Sequence, residues 1–298
     1  MRIGIDLGGT KIEGIAIAGR DVFIRERHPA PVGDYERTVE AVAALVGRIE
    51  DAAGQRGSVG IGIPGAVSAR TGLIKNANST WLIGRPFHAD LERRLGRAVR
   101  IANDADCFTL SEATDGAAAG ASPVFGVILG TGVGGGIAVA GALLSDINAV
   151  AGEWGHNPLP WPSDDERPGP ACYCGKRGCI ETFLSGPVLR ADFASHTGLD
   201  ASPEEISAAA ERGESSAVAA FARYEDRLAR SLSSVINILD PECIVLGGGL
   251  SNVARLYTDL PALLPRYVFS DSVETRLVPP LHGDSSGVRG AAWLWPDE

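Results

Sequence analysis

Positive charge is in short supply in this sequence. Its 298 residues hold 27 Lys and Arg against 37 Asp and Glu, a formal net charge of −10. An acidic surplus spread along the chain works against a sequence-independent grip on the phosphates of DNA or RNA, so nucleic acid is not an expected partner. Long apolar runs are also missing. No stretch reaches the roughly 18 uninterrupted apolar residues that a membrane span needs, and Asp6 breaks the opening MRIGIDLGG where a signal-peptide core would run. No membrane partner and a cytoplasmic location are expected. Cysteine is sparse and odd in number, five in all, which does not suit a disulfide framework. Cys107 and Cys243 stand alone in apolar surroundings and read as small buried hydrophobes. Cys172, Cys174 and Cys179 crowd together, which points to metal in a reducing compartment.

What is present suits a packed α/β chain. Apolar residues make up 45% and charged residues 21%, an ordinary globular balance, and the length fits two domains at roughly 100 to 200 residues each. Residues 3–10 read IGIDLGGT, a β-branched strand running into glycines, and KIEGIAIAG follows with the alternation of a second strand. The pattern returns at 125–132 as FGVILGTG, followed by VGGGIAVAG, so that Gly4 aligns with Gly126, Gly8 with Gly130 and Gly14 with Gly136. A third element recurs as SVGIGIPG at 58–65 and CIVLGGG at 243–249. Helical periods lie between: 36–54, ending at Gly54; 203–239, broken near Gly213; and 283–295, with Asp284 or Ser285 as its cap. Two similar halves of this kind match a two-domain, actin-like or hexokinase-like ATPase fold built from duplicated ribonuclease H-like halves around a cleft. The expected domains are 1–118, with 284–298 packing back onto it, and 119–283.

Where a strand ends in consecutive glycines the backbone turns sharply and its N–H groups can converge on an anion. DLGGTK supplies such a loop through Gly8, Gly9, Thr10 and Lys11, with Asp6 placed to hold magnesium directly or through water. GTGVGGG offers a second through Gly130, Thr131 and Gly132, and LGGGLSN a third through Gly248 and Gly249. Each alone serves equally as a plain turn. A dinucleotide fingerprint is ruled out at the second loop because a strand, not a helix, follows it. His156 with Cys172, Cys174 and Cys179 gives three sulfurs and one imidazole, the donor set of a closed tetrahedral zinc site; free thiols in a loop are the alternative.

Taken together, DLGGTK, GIPG, AND at 102–104, LGTGVGGG, GEWGH, CYCGKRGCIE and LGGGLS resemble the ROK family of bacterial sugar kinases and sugar-responsive repressors, in order and over essentially the whole chain. The CxCGxxGCxE string is the specific part. NANSTWL at 76–82, GEWGHNPLPW and HGDSSGVRGAAWLW look most like bacterial fructokinases that also accept mannose. The resemblance implies ATP and magnesium with a structural zinc, a homodimer, and fructose as first choice of sugar; glucokinase or an N-acetylhexosamine kinase is the alternative. It implies Asp104 as general base, with Gly65, Asn78, Asn103, Glu153, His156 and Glu181 at the sugar and His156 shared between zinc and sugar. On the residues alone, Asp104 reads as readily as a helix N-cap. One position departs from the pattern: Asp106 stands where the family usually has asparagine, and facing Asp104 it would raise a carboxyl pKa, whereas in a first helical turn it is ordinary. A repressor of the family would carry an N-terminal helix-turn-helix, for which a first strand beginning at Arg2 leaves no room. An actin-like or chaperone-like ATPase would need neither the zinc cluster nor the sugar carboxylates.

Overall fold

The computed structural model describes residues 1–144 and 147–296. The chain divides into two compact units, Met1–Gly120 with Gly136–Ala151 and Leu281–Glu298, and Ala121–Gly135 with Gly152–Pro280. In chain order the elements are β1 (Arg2–Leu7), β2 (Lys11–Ala18), β3 (Asp21–Pro29), α1 (Tyr35–Ala53), β4 (Ser58–Ile63), β5 (Ala66–Val67), β6 (Ile74–Lys75), α2 (Phe87–Leu95), β7 (Val99–Asn103) and α3 (Asp104–Thr114). They continue with β8 (Val124–Leu129), β9 (Val133–Val139), β10 (Ala142–Leu143), α4 (Glu181–Leu184), α5 (Gly186–Thr197), α6 (Pro203–Glu211), α7 (Ser215–Leu239), β11 (Cys243–Gly247), α8 (Arg255–Leu263), β12 (Arg276–Val278) and α9 (Ser286–Trp293).

The repeat seen in the glycines reappears as topology. One sheet runs β3-β2-β1-β4-β7 and the other β10-β9-β8-β11-β12, so β8 lies between β9 and β11 as β1 lies between β2 and β4. β1 pairs antiparallel with β2 and parallel with β4, and β8 parallel with β11. In the first unit Ile3, Ile5, Leu7, Val59, Ile61 and Ile63 pack with Val39, Val42, Leu45, Val46 and Ile49 of α1. That spacing is the apolar stripe of an amphipathic helix. Asp34 caps α1 by accepting from Arg37 N at 3.0 Å, and Gly54 ends it in the left-handed region at φ 66. The expected break at Gly213, at φ 78, separates α6 from α7.

One sequence expectation changes. Residues 136–151, expected in the second domain, cluster with the first unit, because β9 passes too close to α3 to part from it: a Cβ at Gly136 would lie 2.5 Å from Thr109 Oγ1 and 2.8 Å from Ala105 O. The terminal helix keeps the expected cap position, with Ser285 as the N-cap of α9 after a 3-10 turn at Gly283–Ser285, although no side-chain cap bond forms there. α9 lies against β1, β4 and α3 backbone to backbone. A Cβ at Gly4 would lie 2.1 Å from Val288 O, one at Gly60 1.8 Å from Ala291 O, and one at Gly290 1.6 Å from Cys107 O. Among the described residues no helix is long and apolar enough to cross a membrane.

Candidate active site

The AND motif sits where β7 passes directly into α3. Asn103, not Asp104, is the helix N-cap: its Oδ1 accepts from Ala105 N at 2.8 Å, and its Nδ2 donates to Gly65 O at 3.1 Å. Both ends of the Asn103 amide are therefore engaged by backbone, which fixes the turn that presents Asp104. Asp104 is the first residue of α3 and exposed, with Oδ1 accepting from Ala105 N at 2.9 Å. A negative charge there sits at the positive end of the helix dipole. Gly65 has φ +94, and a Cβ on it would lie 2.5 Å from Lys75 O and 2.9 Å from Ala77 Cα, so the 76–79 stretch runs alongside it. Asn78 is exposed on that stretch, and the next residue, Ser79, is buried with its Oγ 4.0 Å from where a Gly9 Cβ would be. The first glycine turn, the 76–79 stretch, Gly65, Asn103 and Asp104 thus adjoin one another within the first unit.

Asp6 lies on β1, opposite Glu13 of β2. Burial, with the charges of Asp104 and Glu13 adding, pushes its carboxyl up to about 7. Glu13, which the sequence reading passed over, is buried and paired with Arg25 at 2.6 Å and Arg27 at 2.6 Å. Among the described residues no such ion pair is seen at Asp6, on which Lys11 and Arg27 act through their charge. A carboxylate under this strain fits a divalent cation, whose charge would return it to the ionised form. Gly8 N donates to Lys11 O at 2.9 Å, closing the turn that follows. Asp106 lies in the first turn of α3 with Oδ1 2.9 Å from where a Gly136 Cβ would be. Its charge adds to the burial that raises the thiol of Cys107.

In the second unit the other glycine loops leave β8 and β11 at their carboxyl ends, where parallel strands commonly receive ligands. Gly130 N donates to Gly132 O at 3.0 Å, and Thr131 at the tip is exposed. Gly248, at φ +80, crosses β8 so closely that a Cβ would lie 2.4 Å from Leu129 O, and Gly249 beside it is open. Glu181 opens α4 and accepts from Val133 N at 3.0 Å through Oε2, the atom a Gly132 Cβ would meet at 2.7 Å. The family-implied sugar carboxylate is therefore also a brace of the second glycine loop. Glu153 precedes a 3-10 turn, Trp154–His156, and is partly buried. Trp154 Nε1 donates to Gly134 O at 2.8 Å, which ties that turn to β9. Trp161 stacks on Tyr267, centroids 5.8 Å apart, and Trp81 donates to Thr38 Oγ1 at 3.2 Å, so both serve packing.

His156, Cys172, Cys174 and Cys179 converge, their ligand atoms all within 4.8 Å of one another. The Cys172 Sγ to His156 Nδ1 and Cys174 Sγ to Cys179 Sγ separations are both 3.6 Å. A tetrahedron with zinc–sulfur bonds of about 2.3 Å has edges of about 3.8 Å, so the donor set suits zinc in number and kind, and these two separations lie near a tetrahedral edge. Burial and the neighbouring sulfurs push the Cys179 thiol up to about 12, a cost that a bound cation removes. His156 Nε2, expected to face sugar, lies 2.9 Å from Tyr173 Oη; a sugar hydroxyl would have to displace that phenol.

The family model described as ROK family matches residues 2–298. The chain belongs to the ROK family. It is similar to the N-acetyl-D-glucosamine kinase of Vibrio cholerae, 40% identical over 99% of this chain and 99% of that one. Among solved ROK structures it is similar to the ROK hexokinase of Thermus thermophilus, with TM-score 0.86 and 31% identity over 98% and 96% of the two chains. It is also similar to the ROK glucokinase of Streptomyces griseus in complex with glucose and AMPPNP, with TM-score 0.77 and 27% identity over 98% of each. These likenesses carry the expected two-domain, hexokinase-like fold. They do not carry the fructokinase expectation, since the curated ROK relative acts on an N-acetylated hexosamine.

Proposed function

We propose that the chain is an ATP-dependent kinase that phosphorylates the terminal hydroxyl of N-acetyl-D-glucosamine. The observation that carries this is the 40% identity to the Vibrio cholerae N-acetyl-D-glucosamine kinase, end to end in both chains. Fructose, the first choice from the motifs, gives way to the N-acetylhexosamine alternative on that ground. Glucose is the second reading, favoured by the likeness to the glucokinase with bound glucose.

In this reading the exposed Asp104 carboxylate takes the proton of the sugar hydroxyl while that oxygen forms its bond to the γ-phosphorus and the bond to the ADP oxygen breaks. The family resemblance gives the sugar-orienting role to Gly65, Asn78, Asn103, Glu153, His156 and Glu181. Backbone N–H groups of the loops at Gly8–Lys11, Gly130–Gly132 and Gly248–Gly249 hold phosphate oxygens. Asp6 is the residue that would hold magnesium, which neutralises charge on the phosphates. His156, Cys172, Cys174 and Cys179 would hold zinc; with no position left open, that site shapes the segment bearing Glu153 and Glu181.

An ADP-release assay with ATP, magnesium and a sugar panel tests the reading. N-acetyl-D-glucosamine should exceed fructose, mannose and glucose in kcat/KM by about tenfold or more, because a site that hydrogen-bonds an acetamido group leaves polar groups unpaired with the others. Fructose or glucose at the top of the ranking overturns the choice of sugar, and no sugar-dependent release overturns the kinase. Metal analysis of untagged protein should find about one zinc per chain, and its removal by a chelator should lower the melting temperature; zinc-free protein of unchanged stability removes that site.

A further inference from the structure

The contact between α3 and α9 contains a buried carboxylate that none of the roles above uses. Glu112 has no exposed surface. Its Oε2 accepts from Ala117 N at 2.8 Å and Leu281 N at 2.9 Å, and its Oε1 from His282 N at 3.2 Å and Ser286 Oγ at 2.7 Å. The chain after α3 wraps the carboxylate so closely that a Cβ at Gly116 would lie 2.3 Å from Oε2. A buried carboxylate is tolerated only when donors meet it, and here the donors gather the start of α9 onto α3. Asp115, just past α3, adds a second tie, pairing with Arg289 of α9 and with His282 Nε2 at 3.0 Å.

The residue after Ser286 is Gly287, and a Cβ on it would lie 3.7 Å from the Cγ and Oδ2 of Asp6. One side chain therefore separates Glu112 from the backbone that faces Asp6. We infer that Glu112 is a positioning residue for the metal end of the site: through Ser286 and Gly287 it fixes the first turn of α9 against Asp6, and with it the orientation in which Asp6 meets a nucleotide-bound divalent cation. The charges that act on Asp6 are Asp104 of α3, Glu13 and Lys11 of β2 and Arg27 of β3, so Glu112 acts by contact. The inference rests on the kinase reading for the presence of nucleotide and metal.

The test uses Glu112→Gln, which keeps the shape but turns a donor toward donors, and Ser286→Ala, which removes one bond. Binding of Mn²⁺ with a non-hydrolysable ATP analogue, read from the resonance of free Mn²⁺, should weaken about tenfold in Glu112→Gln, the scale seen when groups supporting a metal ligand are lost, and less in Ser286→Ala. The magnesium needed for half-maximal ADP release should rise in step while KM for sugar stays put. Glu166→Gln, which cuts the second unit's ion pairs to Arg227 at 2.8 Å and Arg230 at 2.9 Å, should lower the melting temperature and leave Mn²⁺ binding unchanged. Wild-type Mn²⁺ affinity in both Glu112→Gln and Ser286→Ala overturns the inference whatever their melting temperatures. Failure of the wild type to hold Mn²⁺ with the analogue overturns it as well. Should Glu112→Gln not fold, Ser286→Ala decides. Intact Mn²⁺ binding with no sugar-dependent ADP release sinks the kinase reading alone.

Discussion

Asp104→Asn should bind sugar and MgATP as the wild type does while phosphoryl transfer falls about 10² to 10⁴-fold, the range that positioned proton transfer supplies. The substitution keeps the shape of the side chain, and Asn103, which caps α3 and reaches Gly65 O, holds the turn without help from Asp104. The loss should therefore appear in kcat with KM nearly unchanged, the signature of an interaction made only in the transition state. Single-turnover transfer from labelled ATP, with separate binding measurements, checks both halves. Turnover within a few-fold of wild type would falsify the role.

Asp6→Asn should divide stability from activity. In the folded chain burial, together with the charges of Asp104 and Glu13, holds the Asp6 carboxyl at about 7 against an ordinary 3.8. Between those values the folded state binds more protons than the unfolded one, so wild-type stability falls as pH rises through that window and the full cost is present above it. Asparagine does not titrate. Without magnesium or nucleotide the variant should match the wild type near pH 4 and exceed it above pH 7 by up to about 4 kcal/mol, the equivalent of a shift of roughly three units. Saturating MgATP should narrow or reverse the gap, since only the carboxylate gains from the cation, and sugar phosphorylation should be lost. Urea unfolding in magnesium-free buffer across pH 4.5 to 8.5 reads the effect; parallel pH curves for the two proteins would remove it.

The strands and glycine turns were legible because their signals are local. A β-branched run entering consecutive glycines carries its meaning within eight residues, and its recurrence at 125–132 anticipated the matching sheet orders. The AND motif marked the strand-to-helix junction, although the capping residue proved to be Asn103. The pairings that tune the first unit were not legible. Glu13 meets Arg25 and Arg27 across a strand pair, and Glu112 meets donors at 281–286. Such partners lie too far apart in sequence for any period to announce them. An acidic residue in an apolar strand, as at Glu13, was the one available hint, because burial demands a partner. The choice of sugar was not legible for a related reason: the motif likeness of stretches such as 76–82 and 153–161 constrains the backbone more than the ligand.

The seating of α9 also sets a timetable. Ile15 and Ile17 of the opening hairpin find apolar company in Val288 and Ala292, and the bare backbones at Gly4 and Gly60 are covered by Val288 and Ala291. The strands β1, β2 and β4 therefore lack this cover until α9, far along the chain, has been made. The second unit, drawn from Ala121–Gly135 and Gly152–Pro280, has all its parts made before α9, so it can close before the first unit's sheet is covered.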